Sequence, residues 1–236
     1  MKILALESSA VACSAALCED ETLVAQAFQN NGLTHSRTLM PMCGDLLKNC
    51  GAVPADVDVV AVAAGPGSFT GLRIGVAAAK GLAWSLGKPC AGVSTLESMA
   101  WTAAHMDMEI CPVMDARRGQ VYNARFLGVD GAPVRLTEDR AISLDDLGAE
   151  LKNAGKPQIL VGDGAALCYN TLKERGLDLR LAPEHLRFQS AWGVARCALE
   201  QARAGALTDA DGLVPCYHRL SQAERERLEK EKNKGE

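Results

Sequence analysis

Ile110-Cys-Pro-Val-Met-Asp115 is an apolar run that ends at a carboxylate, and Lys2-Ile-Leu-Ala-Leu-Glu7 is a second. Both have the length and apolar content of a buried β-strand. Each is followed by two more strand-like runs. Residues 14–18 and 23–28 follow the first, joined at the polar cluster Glu19-Asp-Glu21. Residues 122–127 and 133–136 follow the second, joined at Val129-Asp-Gly-Ala132. Polar and glycine-containing breaks of this kind mark hairpin turns. Strands then alternate with helices in both halves, so the chain reads as α/β, a duplicated module with its boundary near residues 104–109. The expected organisation is a subdomain over residues 1–104, a second over 105–220 whose last helix packs back on the first, and a charged tail over 221–236.

Spacing fills in the rest. Residues 35–50 read as a helix with Leu39, Met42 or Cys43, Leu46 and Leu47 on one face, Pro41 kinking its early turns and Gly51 stopping it. Residues 57–64 are continuously apolar, as in a strand covered on both faces. A helix over 71–86, a strand over 89–93 and a helix over 95–105 complete the first half. In the second half, helices are expected over 144–153, 166–175 and 191–204, with a strand over 158–161 leading into a turn at Gly162-Asp-Gly164.

Composition limits the function classes. Of 236 residues only 4% are aromatic, so Ala, Val, Leu and Ile must fill the core, and the formal charge of −4 argues against wrapping nucleic acid by bulk electrostatics. Nine cysteines occur without a C-x-x-C pair, which removes zinc ribbons and thioredoxin-like motifs and leaves reduced, buried thiols as the expectation. No apolar run is long enough to span a membrane, and the N-terminal run is too short for a signal segment, so a cytoplasmic protein is expected.

The segment Gly65-Pro-Gly-Ser-Phe-Thr-Gly-Leu-Arg-Ile-Gly75 carries the most information. Between a buried strand and a helix N-terminus it is placed as a phosphate cradle. It lacks the Gly-Lys-Ser/Thr of a Walker loop, and Thr70 stands where a G-x-G-x-x-G motif needs its last glycine. Gly67, Gly71, Gly75 and Ala79 also recur every four residues, an edge that a second helix could approach closely. The plainest reading is a strand-to-helix turn whose glycines satisfy the backbone.

Four stretches together resemble the TsaB family, also called YeaZ. They are Ile3-Leu-Ala-Leu-Glu-Ser-Ser9, the eleven-residue glycine segment (Gly65, Pro66, Gly67, Ser68, Phe69, Thr70 and Arg73 within it), Asp115-Ala-Arg-Arg-Gly-Gln-Val-Tyr122 and Pro215-x-Tyr-x-Arg-Leu-Ser221. The family supplies bacterial subunits of the machinery that makes threonylcarbamoyladenosine on tRNA. The resemblance implies the actin/Hsp70/sugar-kinase (ASKHA) fold, two βββαβα-type halves. It also implies a non-catalytic subunit that pairs with a TsaD-type catalytic subunit and supports a TsaE-type ATPase; the surface that holds the partner is expected, alone, to pair with itself as a homodimer.

Departures from the catalytic TsaD family support a non-catalytic role. The positions of that family's metal-binding histidine pair fall on Thr95 and Met99 here. The four histidines are dispersed, and His105 with Glu109 reads as a solvated helix end, so no metal is expected. The glycine-rich phosphate segment of TsaD is replaced by Asp115, Ala116, Arg117, Arg118 and Gly119. An acid beside a phosphate is repulsive unless a cation bridges them, so the cleft is expected to hold nucleotide poorly and no cofactor is assigned. Ser8, Ser9 and Ser68 have no evident base, and a metallopeptidase is disfavoured by the missing His-Glu-x-x-His. The expected partner surface is one helix face with Leu39, Met42, Leu46 and Leu47 and a second with Gly71, Ile74, Gly75, Ala77, Ala78 and Leu82. Arg117 and Arg118, followed by Arg125, are the candidate contact to tRNA or to acids of a partner. The competing reading is a stand-alone actin-fold ATPase or small-molecule kinase that uses the glycine loop.

Overall fold

The computed structural model describes residues 1–219, so the charged tail over 221–236 lies outside the described residues. In the first half, β1 (Lys2–Glu7), β2 (Cys13–Glu19), β3 (Thr22–Gln29), β4 (Val59–Gly65) and β5 (Cys90–Ser94) form one sheet in the order β3-β2-β1-β4-β5. The first three strands are antiparallel, and β4 and β5 run parallel to β1. The strand period of two divides the core. Leu4, Leu6, Leu17, Val60 and Val62 point to one face, under α1 (His35–Asn49) and α2 (Phe69–Leu86). Ile3, Ala5, Ala16, Val59 and Ala61 point to the other, under α7 (Ala191–Arg203).

The second half repeats that order. β6 (Glu109–Asp115), β7 (Gln120–Asn123), β10 (Arg140–Ser143), β11 (Gln158–Val161) and β12 (Leu179–Leu181) run β10-β7-β6-β11-β12. A hairpin of β8 (Phe126–Val129) and β9 (Ala132–Arg135) is added on the early residues of β6. Two corrections follow. The strand expected over 122–127 is broken at Ala124-Arg125, where the Arg125 amide donates to Thr137 Oγ1 instead of to a neighbouring strand. The position corresponding to β3 is filled by β10, not by residues 133–136, because β10 is the strand that pairs with β7.

The helix expected over 95–105 stops early. α3 (Thr95–Trp101) ends where Thr102 Oγ1 donates to the carbonyls of Met99 and Leu186, and a 3₁₀ turn at Ala104–Met106 follows. α3 packs on the inner face of the second sheet, α7 on the inner face of the first, and the two helices pack on each other. α4 (Leu144–Ala154) and α5 (Ala165–Lys173) cover the outer face of the second sheet, and α6 (Glu184–Arg187) is a single turn. Seven of the nine thiols are buried as expected; Cys50 is half-buried, and Cys216 is exposed on the segment after α7. Glu109 is no solvated helix end: it is buried in β6, with Oε1 2.6 Å from Arg125 Nε. No described helix is long and apolar enough to cross a membrane.

Candidate functional site

The glycine segment turns β4 into α2 directly under the end of β1. Ser68 caps α2: its Oγ accepts from the Gly71 amide, and its own amide donates to Ser9 O at 2.7 Å. Ser8 Oγ donates to Gly71 O at 2.9 Å. A Cβ at Gly67 would meet Ser9 O at 2.5 Å, and a Cβ at Gly71 or Gly75 would overlap Ser8. The glycine edge is therefore buried against Ser8-Ser9, and the expectation that a second helix approaches it is corrected. Ala79 is buried too. Bare backbone is required here because the strand end and the helix start occupy nearly the same space.

The segment after α7 straps this turn from outside. The Cys216 amide donates to Ala64 O, and Gly65, at φ +138°, lies against the Cys216 carbonyl with no room for a Cβ. Tyr217 stacks on Phe69 at 4.4 Å between ring centroids, and Arg73 Nε donates to the Tyr217 hydroxyl. Pro66 is buried within the turn. Arg219 Nη1 then reaches Ala116 O in the second half at 2.5 Å. Tyr217 and Arg219 belong to the late motif, but spacing alone gives no hint of what they touch.

Between the halves lies a cleft of about 760 Å³. One wall is Ser9 with Ser68, Phe69 and Thr70; the other is the turn after β6, with Asp115, Arg117 and Arg118. Arg117 and Arg118 both hold left-handed backbone, φ 64° and 56°, and the Arg117 amide donates to Asp115 Oδ1 at 2.6 Å. Arg125 is separated from this pair by its bond to Glu109, so the basic feature is two residues and not three.

Asp163 lines the cleft half-buried, and Glu7 lies buried outside its lining. Glu7 is wholly buried; its Oε1 accepts from the Ser9 amide at 2.6 Å and its Oε2 has no partner. Burial pushes this carboxyl up to about 7, with nearby Asp163 adding to the rise. Asp163, in the Gly-Asp-Gly turn, is also raised, chiefly by burial, while Gln189 Nε2 donates to its Oδ1. Among the described residues no three His, Cys, Asp or Glu side chains are grouped to hold a metal ion. Thr95 and Met99 are both fully buried.

The second candidate surface is the outer side of α1 and α2. Leu39, Met42, Leu46 and Leu47 face the sheet and are at most 8% exposed, so as partner-facing residues they are corrected: the sheet already covers them. Gly71 and Gly75 are likewise buried. Ile74, Ala78 and Leu82 are half-buried at the edge of the same core, and Ala77 is exposed. Outward on these helices stand Met40, Gly44, Gly81 and above all Trp84, whose indole is 80% exposed. Trp84 was legible only as an unusual residue in an Ala- and Gly-rich helix.

Comparison with known proteins gives consistent matches. The family model described as TsaD, tRNA N6-adenosine threonylcarbamoyltransferase, matches residues 29–171. The tRNA threonylcarbamoyladenosine biosynthesis protein TsaB of Bacillus subtilis is 35% identical over 98% of this chain and 100% of its own length. The solved structure of YeaZ from Pseudomonas aeruginosa superposes with a TM-score of 0.77 at 26% identity, covering 92% of this chain and 99% of that one. The activator of the 2-hydroxyisocaproyl-CoA dehydratase from Clostridium difficile, solved with bound ADPNP, shares the fold alone: TM-score 0.52 at 12% identity, over 87% of this chain and 97% of that one. The duplicated sheets are thus the actin-like, sugar-kinase type of α/β fold, and by identity along its whole length the chain belongs to the TsaB (YeaZ) family.

Proposed function

We propose that the chain is the non-catalytic, partner-holding subunit of the cytoplasmic assembly that makes threonylcarbamoyladenosine on tRNA. It pairs with a TsaD-type catalytic subunit, supports docking of a TsaE-type ATPase, and pairs with a second copy of itself when neither is present. tRNA is the substrate of the assembly. The observation that carries this reading is the outer face of α2, where Ala77 and Gly81 leave the helix flat and Trp84 stands 80% exposed beside them. A flat, small-residue face lets another helix approach closely, and a solvent-facing indole is the residue type that most often anchors an interface. α1 lies alongside, so two helices from each partner would form a four-helix contact.

The test combines Trp84→Ala with Ala77→Arg. Both positions are exposed, so circular dichroism should stay unchanged. The isolated protein should elute as a monomer, and tRNA modification reconstituted with the catalytic subunit should fall at least tenfold. An unchanged elution volume together with full modification would remove the assignment.

A further inference from the structure

We propose that the cleft between the two halves binds a small phosphomonoester, with Arg117, Arg118 and Arg219 around its phosphate and Ser9 and the first turn of α2 opposite. This goes beyond the scaffold reading. Three arginines line one cavity, and none of the three is in an ion pair among the described residues. Arginine presents only donors, in a planar fork that matches phosphate oxygens. Arg117 and Arg118 are moreover held in left-handed backbone, a conformation that costs free energy for a residue with a side chain and that concentrates at binding sites.

The second observation is independent of the arginines. Ser9 lines the cleft and is wholly buried, yet its Oγ has no hydrogen-bond partner. A buried hydroxyl without a partner loses its hydration with no return, so such a group marks a place where an acceptor belongs. Phe69 and Thr70 also line the cleft, and first-turn amides have no intrahelical acceptor.

The two acids on the cleft wall define the ligand further. Asp115 Oδ1 is occupied by the Arg117 amide, and Asp163 Oδ1 by Gln189. Both carboxylates disfavour a polyanion filling the cleft, so the charged part of the ligand is limited to one compact phosphate paired with the arginines. The volume exceeds what phosphate alone fills, and Val11, Met114 and Phe69 offer apolar contact to an organic group.

The experiment titrates the full-length protein with phenyl phosphate and, separately, inorganic phosphate at low ionic strength, followed by calorimetry and protein-observed NMR. The expected result is saturable one-to-one binding of phenyl phosphate, at least threefold tighter than inorganic phosphate. Arg118→Gln should weaken it at least tenfold and Ser9→Ala severalfold. Because Ser9 Oγ bonds nothing, Ser9→Ala should not lower the thermal midpoint. Arg37→Gln, an exposed arginine on α1, should bind as the parent does. Absence of saturable binding, or binding untouched by Arg118→Gln and Ser9→Ala, would overturn the proposal. So would equal loss in Arg37→Gln, which reports only bulk charge, and equal affinity for the two probes, which reports a free-phosphate site.

Discussion

Gly71→Ala should destabilise the protein by about 1–3 kcal/mol, the range for overpacking a filled core, while Gly81→Ala, on the same helix, should stabilise it by up to about 1 kcal/mol. The helix propensity gain at Gly71, in the first turn, is at most that at Gly81 in the helix interior, but it is not negative, so a loss of stability at Gly71 is steric. At Gly81 an added methyl meets nothing of its own chain within 4 Å, and both glycine variants are compared in the monomeric Ala77→Arg, Trp84→Ala background, so that no second copy covers the position. At Gly71 it overlaps the carbonyl of Ser8, which is backbone and has no rotamer to yield. Relief requires the start of α2 to move off the end of β1, which breaks the bonds from Ser8 Oγ to Gly71 O and from the Ser68 amide to Ser9 O. For a chain of this size each kcal/mol moves the melting midpoint by roughly 2–4 °C. The pair of variants should therefore move it in opposite directions, and scanning calorimetry reads both. Equal shifts of the same sign would mean that the close approach of Ser8 is not what fixes a glycine at 71.

The same contrast explains what the sequence could and could not disclose. Most of the first half was readable because its elements are long and strongly patterned: β1 and β4 are unbroken apolar runs, as strands covered on both faces must be, and α1 repeats Leu39, Met42, Leu46 on one face. β10 and β12 were missed because Arg-Ala-Ile-Ser and Leu-Arg-Leu are too short and too polar to declare a face, and only the sheet neighbours identify them. Residues 122–127 look like one strand, yet the chain leaves the ladder at Arg125 to make the added hairpin, a tertiary choice with no local mark. At the site, the spacing of Gly67, Gly71 and Gly75 announced a close approach but not its object. A bare helix edge serves a second helix or a strand end equally well, and the long-range contact to Ser8-Ser9 decides between them. The helix period likewise finds an apolar face without saying whether sheet or partner covers it. That is why Leu39 and Leu47 proved to be core and Trp84, off the periodic stripe, proved to be surface.

Glu7→Gln should raise stability by about 3 kcal/mol near pH 8 and have almost no effect near pH 4.5. The folded-state carboxyl is raised from 4.5 to about 7 by burial. Below pH 4.5 Glu7 is protonated whether the chain is folded or not, and the folded state carries no penalty. Between about 4.5 and 7 the unfolded chain ionises while the folded one holds its proton, so the unfolded state is increasingly favoured and stability falls with rising pH. Above about 7 both states are ionised and the loss is complete. Glutamine keeps the acceptor for the Ser9 amide and removes the ionisation, and with it the pH dependence. Asp163, also raised, is present in both proteins, so the difference between their pH curves isolates Glu7 and its coupling to that second acid. Urea unfolding from pH 4.5 to 8.5 supplies the measurement, with the two curves expected to meet at the acid end and diverge toward the alkaline end. Parallel curves would show that Glu7 is hydrated in the folded protein, and the burial of its carboxyl would have to be redrawn.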